Sequence, residues 1–303
     1  VQDGNEATAI EKVLDEYARL SHVKVEKKDP VVYPNFSKTY TDDDISDNDV
    51  IVVNEVKDAS RHVAYSDMLV QNVDYSTYNQ TNSLDAEGQI TAAIESITSA
   101  STKKIYTTSG HGETDLDSEF TNILTKSNMT TDTIATSKAD KIPDDCDILI
   151  INGPKYDFSD DEYKILYKYL QNGGKGMFFL NPLAEEQPNY KKLLREYGVD
   201  TVDGYVVDSD QCFSSNYPTY LAPTIEDHDI TKDVSENTVI EVNAVGMTTQ
   251  SNVRSTLTVE PLLKTSAAAF SRVDNKETSI EKVSSDINGP FNVAVAVTVK
   301  ISD

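Results

Sequence analysis

Between Glu6 and Leu20 the apolar residues fall at Ile10, Val13, Leu14, Tyr17 and Ala18, the i, i+3, i+4, i+7 spacing that turns one face of a helix toward a core. The period then shortens. Val23–Val25 reads as a brief strand, Asp29-Pro30 and Tyr33-Pro34 hold the backbone extended, and Val50–Val53 and Arg61–Tyr65 read as two further strands. Ser66 or Asp67 is placed to cap the next turn of the chain. A helix and three strands predict a small α/β unit of thioredoxin-like kind, with room for a first strand upstream of Val1. No Cys-x-x-Cys accompanies it, so thioredoxin chemistry is not implied. Residues 71–86, rich in Asn, Gln, Ser and Tyr, read as a loop or linker, and Ile90, Ala93, Ile94 and Ile97 as one face of a linker helix. The expected domains are 1–100 and 101–303.

Beyond that junction, short apolar runs alternate with helical patterns. Ile105–Thr108, Asp147–Ile151 and Gly176–Leu180 are each followed by Gly, Asn or Pro, the punctuation of parallel strands. Residues 114–127 suit a helix and Thr133–Ala135 a strand. Ser159-Asp-Asp-Glu162 is a capping box opening a helix that carries Tyr163, Leu166, Tyr167 and Leu170 inward and stops at Gly173-Gly174. Asn189–Tyr197 is a further helix and Tyr205–Val207 a strand. After Asp208 the pattern turns irregular, with strands expected at Val239–Val245, Thr256–Val259 and Phe291–Ile301, the last alternating Val293, Val295, Val297, Val299 and Ile301. The fold class is therefore α/β: a parallel-sheet domain with extra C-terminal strands behind a smaller N-terminal unit. In open sheets of this kind ligands bind at the carboxyl ends of the strands. That places the candidate crevice where Gly110, His111, Gly112 and Glu113 approach Asn152, Gly153 and Asn181.

Charge narrows the function. Lys and Arg total 27 against 51 Asp and Glu, a net charge of −24, which repels nucleic-acid backbones and anionic headgroups alike. Apolar runs such as Val293–Val299 fall far short of the roughly 18 residues of a membrane span. The chain begins at Val1, and the expectation is a fragment whose targeting and anchoring segments lie outside it. Cys146 and Cys212 form no metal or redox motif; two separate thiols is the simpler reading, and a disulfide stays open.

The residues as an ordered set resemble a family. Ile-Tyr-Thr-Thr-Ser-Gly-His-Gly-Glu113, Ile-Pro-Asp-Asp-Cys-Asp-Ile-Leu-Ile-Ile-Asn-Gly-Pro154, Phe-Ser-Asp-Asp-Glu162, Tyr-Leu-Gln-Asn-Gly-Gly174, Asn181-Pro182 and Tyr205-Val-Val-Asp208 succeed one another along the chain. Upstream stand Leu14-Asp-Glu-Tyr17, Asp29-Pro30, Val50–Val53 and Tyr65-Ser-Asp-Met68. This set resembles the GldG-type auxiliary components of gliding-motility-associated and related ABC transport systems. The resemblance implies an extracytoplasmic portion anchored at the cell membrane by transmembrane segments outside this chain, with permease and ATPase subunits as partners. It also implies that the second domain has a flavodoxin-like core of the class I glutamine amidotransferase-like type.

Candidate chemistry is sparse. His111 between glycines could act as a general base or ligand contact oriented by Glu113. Alternatively the glycines serve a tight turn and the Glu favours a helix N-terminus. An amidotransferase or hydrolase would need a nucleophile elbow, yet Cys146 precedes its strand, Asn152-Gly153-Pro154 stands where an elbow might, and no Gly-x-Ser-x-Gly occurs. Neither a dinucleotide fingerprint nor a P-loop occurs, so no cofactor is expected and ATP hydrolysis is left to another subunit. The acidic run Thr41–Asp49 lacks the Gly and distal Glu of a calcium loop, Glu226-Asp-His-Asp229 reads as a loop, and no metal is expected. Of the 16 tyrosines, Tyr217 and Tyr220 are the candidates for a recognition surface in a carbohydrate- or peptide-binding module.

Overall fold

A computed structural model of the chain describes residues 1–2, 4–74, 79–99, 102–236, 238–274, 276 and 281–300. It divides into two units, Val1–Lys104 with Asp117–Thr131, and Ile105–Leu116 with Asp132–Asp303. In the first, α1 (Thr8–Tyr17) buries Ile10 as its spacing predicts. β1 (Val50–Asn54) and β2 (Ala59–Val63) pair antiparallel, Val50 opposite Val63. β3 (Leu69–Asp74) and β4 (Asn79–Leu84) form a second antiparallel pair, from Leu69 opposite Leu84 to Asp74 opposite Asn79. This corrects the reading of 71–86 as a loop over 71–74 and 79–84, while 75–78 lie outside the described residues: a two-stranded ribbon is held by its backbone ladder and need show no apolar period. The brief strand expected at Val23–Val25 does not form; the chain turns there, with the Val23 N–H on the Leu20 carbonyl at 3.1 Å. α2 (Ala86–Thr98) buries Ile90, Ala93 and Ile97, and its core partners include Ile10, Val63 and Met68. α3 (Ser118–Lys126), capped by Asp117 on the Phe120 N–H at 2.7 Å, groups with this unit.

The second unit is built on β5 (Lys103–Ser109), β6 (Met129–Ala135), β7 (Ile148–Asn152) and β8 (Lys175–Phe179), in the order β6-β5-β7-β8. β5 and β8 both run parallel to β7. Leu149, Ile150 and Ile151 of β7 are at most 2% exposed, which is why this central strand reads as a continuous apolar run. α4 (Asp160–Gln171) and α5 (Pro188–Glu196) cover the sheet through Leu166, Tyr190 and Leu193, which share a core with Tyr106, Leu149, Ile151 and Phe158.

The C-terminal part is richer in strands than its sequence pattern predicts. β9 (Val199–Thr201), β10 (Tyr205–Val207), β11 (Cys212–Ser214), β12 (Tyr217–Leu221), β13 (Thr224–Ile225), β14 (Glu241–Val242), β15 (Met247–Thr249), β16 (Leu257–Lys264), β17 (Phe270–Arg272), β18 (Ile287–Asn288) and β19 (Asn292–Val299) make three antiparallel sheets. Their orders are β13-β16-β19-β15-β9, β10-β17-β18 and β11-β12-β14. The strand expected at Val239–Val245 shrinks to Glu241–Val242. The alternation expected along Phe291–Ile301 ends in exposed residues from Val297 onward, and Ile301 lies outside the described residues.

Two buried acids organise this region. Asp208, fully buried, accepts from the Asp210 and Gln211 N–H groups at 3.0 and 3.1 Å, and from the Ser266 hydroxyl and N–H, both at 2.8 Å. Asp286 accepts from Arg272 Nε at 2.9 Å, both side chains wholly buried. Cys146 and Cys212 are free thiols.

In the first unit the acidic run is not a freely solvated turn. His62 on β2, its side chain 10% exposed, has Nδ1 3.1 Å from Asp43 Oδ2 and Nε2 2.9 Å from Asp49 Oδ2. Asp49 also accepts the Ser46 and Tyr65 N–H groups, and Asp47 those of Gln2 and the Asn5 amide. Burial alone would lower the His62 pKa, but the hydrogen bonds and charges of Asp49 and Asp43 outweigh it and raise it above 6.5. A raised histidine contributes stability that is fully present below 6.5 and is lost as pH climbs through the raised folded value. The urea midpoint of the first unit, followed by protection of the Tyr65 amide, should therefore fall from mildly acidic to mildly alkaline pH. In His62→Asn that slope should flatten; an unchanged slope would remove His62 as its source.

Candidate functional site

β5 ends at Ser109, and the chain leaves it through Gly110 and Gly112, at φ +113° and +73°. Gly112 is required twice over: its backbone is left-handed, and a Cβ there would meet Lys155 Cβ at 3.1 Å. The loop is closed onto the end of β7 by its backbone. The His111 carbonyl accepts the Lys155 and Tyr156 N–H groups at 2.8 and 3.0 Å, and the Thr114 N–H donates to the Asn152 carbonyl at 2.9 Å. The Asn152 side-chain amide returns the bond to the Thr114 carbonyl at 2.8 Å. Gly153, at φ +60°, donates its N–H to the Phe179 carbonyl at 3.2 Å, while the Asn181 amide donates to the Gly153 carbonyl at 3.3 Å. The fold thus places all seven residues expected at the strand ends in neighbouring turns, held largely by bonds to Thr114, Lys155, Tyr156 and Phe179 and by the Asn181–Gly153 bond.

The His111 side chain turns inward and is buried. Its ring lies 4.3 Å from that of Phe158, which meets Tyr190 edge-on at 5.6 Å. Nε2 stands 3.3 Å from Glu162 Oε1 and Nδ1 3.6 Å from Glu113 Oε1, just beyond hydrogen-bonding distance. The other oxygen of Glu113 accepts the His111 N–H at 2.7 Å. Glu113 is therefore a partner of His111 rather than of a helix N-terminus, since α3 begins only at Ser118 and has Asp117 as its cap.

Glu162 is the residue whose second role the sequence hides. Its capping box forms: Oε2 accepts the Ser159 N–H at 2.9 Å and hydroxyl at 2.8 Å. Oε1 accepts the Thr136 hydroxyl at 2.7 Å besides facing His111. Burial alone would raise its pKa, but donors from Ser159 and Thr136 and the charge of His111 hold it below 4.5.

Beside Asn181 lies a hollow of about 90 Å³, lined in part by Pro182, Gln187, Tyr190, Lys191 and Asp203. Lys191 and Asp203 are paired across 2.6 Å, and the Gln187 amide is committed to the Pro154 and Tyr156 carbonyls at 2.9 and 3.2 Å. Tyr190 donates its hydroxyl to the Phe179 carbonyl at 3.2 Å, and burial raises its pKa far above the ordinary tyrosine value. The Cys146 thiol sits before β7, at the opposite end of the strand from this site, 3.5 Å from the Tyr169 hydroxyl, and burial raises its pKa above 9.0. Among the described residues no group of three or more His, Cys, Asp or Glu side chains is placed to hold a metal ion, and no helix is long and apolar enough to cross a membrane.

A family described as ABC-type uncharacterized transport system matches residues 102–302, more than half of the chain and the whole of this site. No curated protein matches. Among solved structures, one described as the mmIFT52 N-terminal domain is similar at 16% identity and a TM-score of 0.42, over 57% of this chain and 81% of that one.

Glu162→Gln keeps the size of the side chain but points an amide donor at groups that are themselves donors. It should destabilise the second unit by about 1–3 kcal/mol, and Thr136→Val by about 0.5–1.5 kcal/mol. Because the Glu162 pKa is depressed, its contribution is present above 4.5 and lost as pH falls through the folded value. Urea unfolding between acidic and neutral pH should show that slope in the native chain and a shallower one in Glu162→Gln. Equal stability of the two at neutral pH would overturn this role.

Proposed function

This chain belongs to the family of auxiliary components of ABC-type transport systems, and from that premise we propose that it is a non-enzymatic, extracytoplasmic component of the GldG type. On this reading it is anchored by segments outside the chain and acts on a permease and an ATPase subunit through protein contacts. The sheet of the second unit is read as flavodoxin-like, and any small-molecule capture would use the strand-end residues and the hollow beside Asn181.

One observation carries the non-enzymatic reading: the amides at the strand ends are tied to backbone carbonyls, and the His111 ring is buried, its Nδ1 facing Glu113 without a hydrogen bond. Both ring nitrogens of His111 face carboxylates, the Asn152 and Asn181 amides tie backbone carbonyls, and the Gln187 amide does the same. A general base must reach the proton it removes, and a ring enclosed by Glu113, Glu162 and Phe158 is not turned toward a substrate. The raised pKa of the Cys146 thiol opposes the thiolate that an amidotransferase needs.

Affinity purification of the full native protein from its own membranes should bring down an ABC ATPase and a permease. Recovery of the protein alone, from a soluble fraction, would overturn the transport role. A panel of ester, amide and glycoside substrates should show no turnover; hydrolysis abolished by His111→Ala would overturn the non-enzymatic reading instead.

A further inference from the structure

The three-stranded sheet β11-β12-β14 buries Leu221 and leaves several large apolar side chains in solvent. Phe213 on β11 is 61% exposed and Tyr217 on β12 58%, and Tyr220, Ile240 and Val242 are exposed with them. These are neighbours: Tyr220 pairs directly with Val242 across the ladder, and the Tyr217 and Tyr220 rings lie 5.5 Å apart at 34°. Clustered exposed aromatics of this kind mark contact surfaces, whereas single exposed apolar residues do not.

The charge of the chain, and of the segment that carries this sheet, selects the partner. Between residues 205 and 250 the exposed ionisable residues are Asp210, Asp227, Asp229, Asp233 and Glu236 against Lys232 alone. A second copy would bring the same acids and another −24 charges, and an anionic lipid or polymer would be repelled likewise. A basic segment gains from both features, because its cations pair with the acids and can lie over the tyrosine faces while its apolar residues cover the rest.

We propose that this face docks a basic, apolar-anchored segment of a partner protein. The inference is independent of the strand-end site and of the non-enzymatic reading. Its residues are exposed and outside both buried acid networks, so they can be replaced without disturbing the core.

The test uses the whole chain and three labelled peptides followed by fluorescence anisotropy: alternating Lys-Leu, alternating Lys-Ser of equal length, and alternating Glu-Leu. At about 0.15 M salt, where long-range attraction is largely screened, Lys-Leu should bind at least about tenfold more tightly than Lys-Ser, a difference of ~1.4 kcal/mol. The doubly substituted Tyr217→Ser, Tyr220→Ser chain, shown to be folded by its circular dichroism and melting curve, should lose that preference. Should the double change unfold the chain, Phe213→Ser or Val242→Ser alone should reduce the preference in part. Equal binding of the two basic peptides would reduce the effect to general attraction to an acidic protein and overturn the proposal. So would equal binding of Glu-Leu, an undiminished preference in the folded variants, or a concentration-dependent dimer that those variants abolish.

Discussion

A buried carboxylate must be met by donors, and Glu162 meets this requirement with groups from several places in the chain. Ser159 at the start of α4, Thr136 after β6 and His111 after β5 all converge on its two oxygens, with Glu113 on the far side of the imidazole. An unpaired charge in such a position costs several kcal/mol, so these segments hold their places together or not at all. The helix cap and the loop conformation are one arrangement: α4 cannot shift along its axis without releasing Thr136 and His111, and the loop cannot open without leaving Glu162 short of a partner.

The strand ends inherit their rigidity from this point. Gly110, Gly112 and Gly153 supply the positive φ angles that let the chain turn away from the sheet after β5 and β7, and the Asn152 and Asn181 amides then bridge the turns. In α/β enzymes this edge is where side chains are left free to meet substrate. Here it is bridged by main-chain and amide bonds, and a hollow lies beside Asn181.

Much of this was legible locally. The apolar run at Asp147–Ile151 and the Ser159–Glu162 box each carry their own physical signature and form as expected, and the glycines flanking His111 make the tight turn that their spacing allows. The convergence does not show in the sequence, because Glu162 lies 26 residues from Thr136 and nothing in the spacing says that one carboxylate serves both a cap and a histidine. The β3–β4 ribbon was illegible for a different reason: its pairing rests on backbone bonds, which any polar sequence can make. Conversely, Val23–Val25 has strand-forming residues and no strand, since local propensity without a neighbouring edge forms no ladder. The C-terminal sheets fall between these cases, because strands of two or three residues are too short to show a period.

The excess of acid poses one problem that the two units solve alike. With 51 acidic and 27 basic side chains most carboxylates must face solvent, and several of those drawn inside have a designated partner, whereas Glu241 keeps a buried Oε2 without a hydrogen bond and burial raises its pKa to about 7. Asp49 faces His62, Glu162 and Glu113 face His111, Asp286 faces Arg272, and Asp208 takes only hydroxyl and main-chain donors. Two of the chain's four histidines are thus held between pairs of carboxylates, one in each unit. His62, so placed, has its pKa raised by its two acids, and a histidine ring packs where a lysine stem would have to reach out to water. Lysine, by contrast, is paired at the surface, as in Lys191 with Asp203 and Lys164 with Asp161.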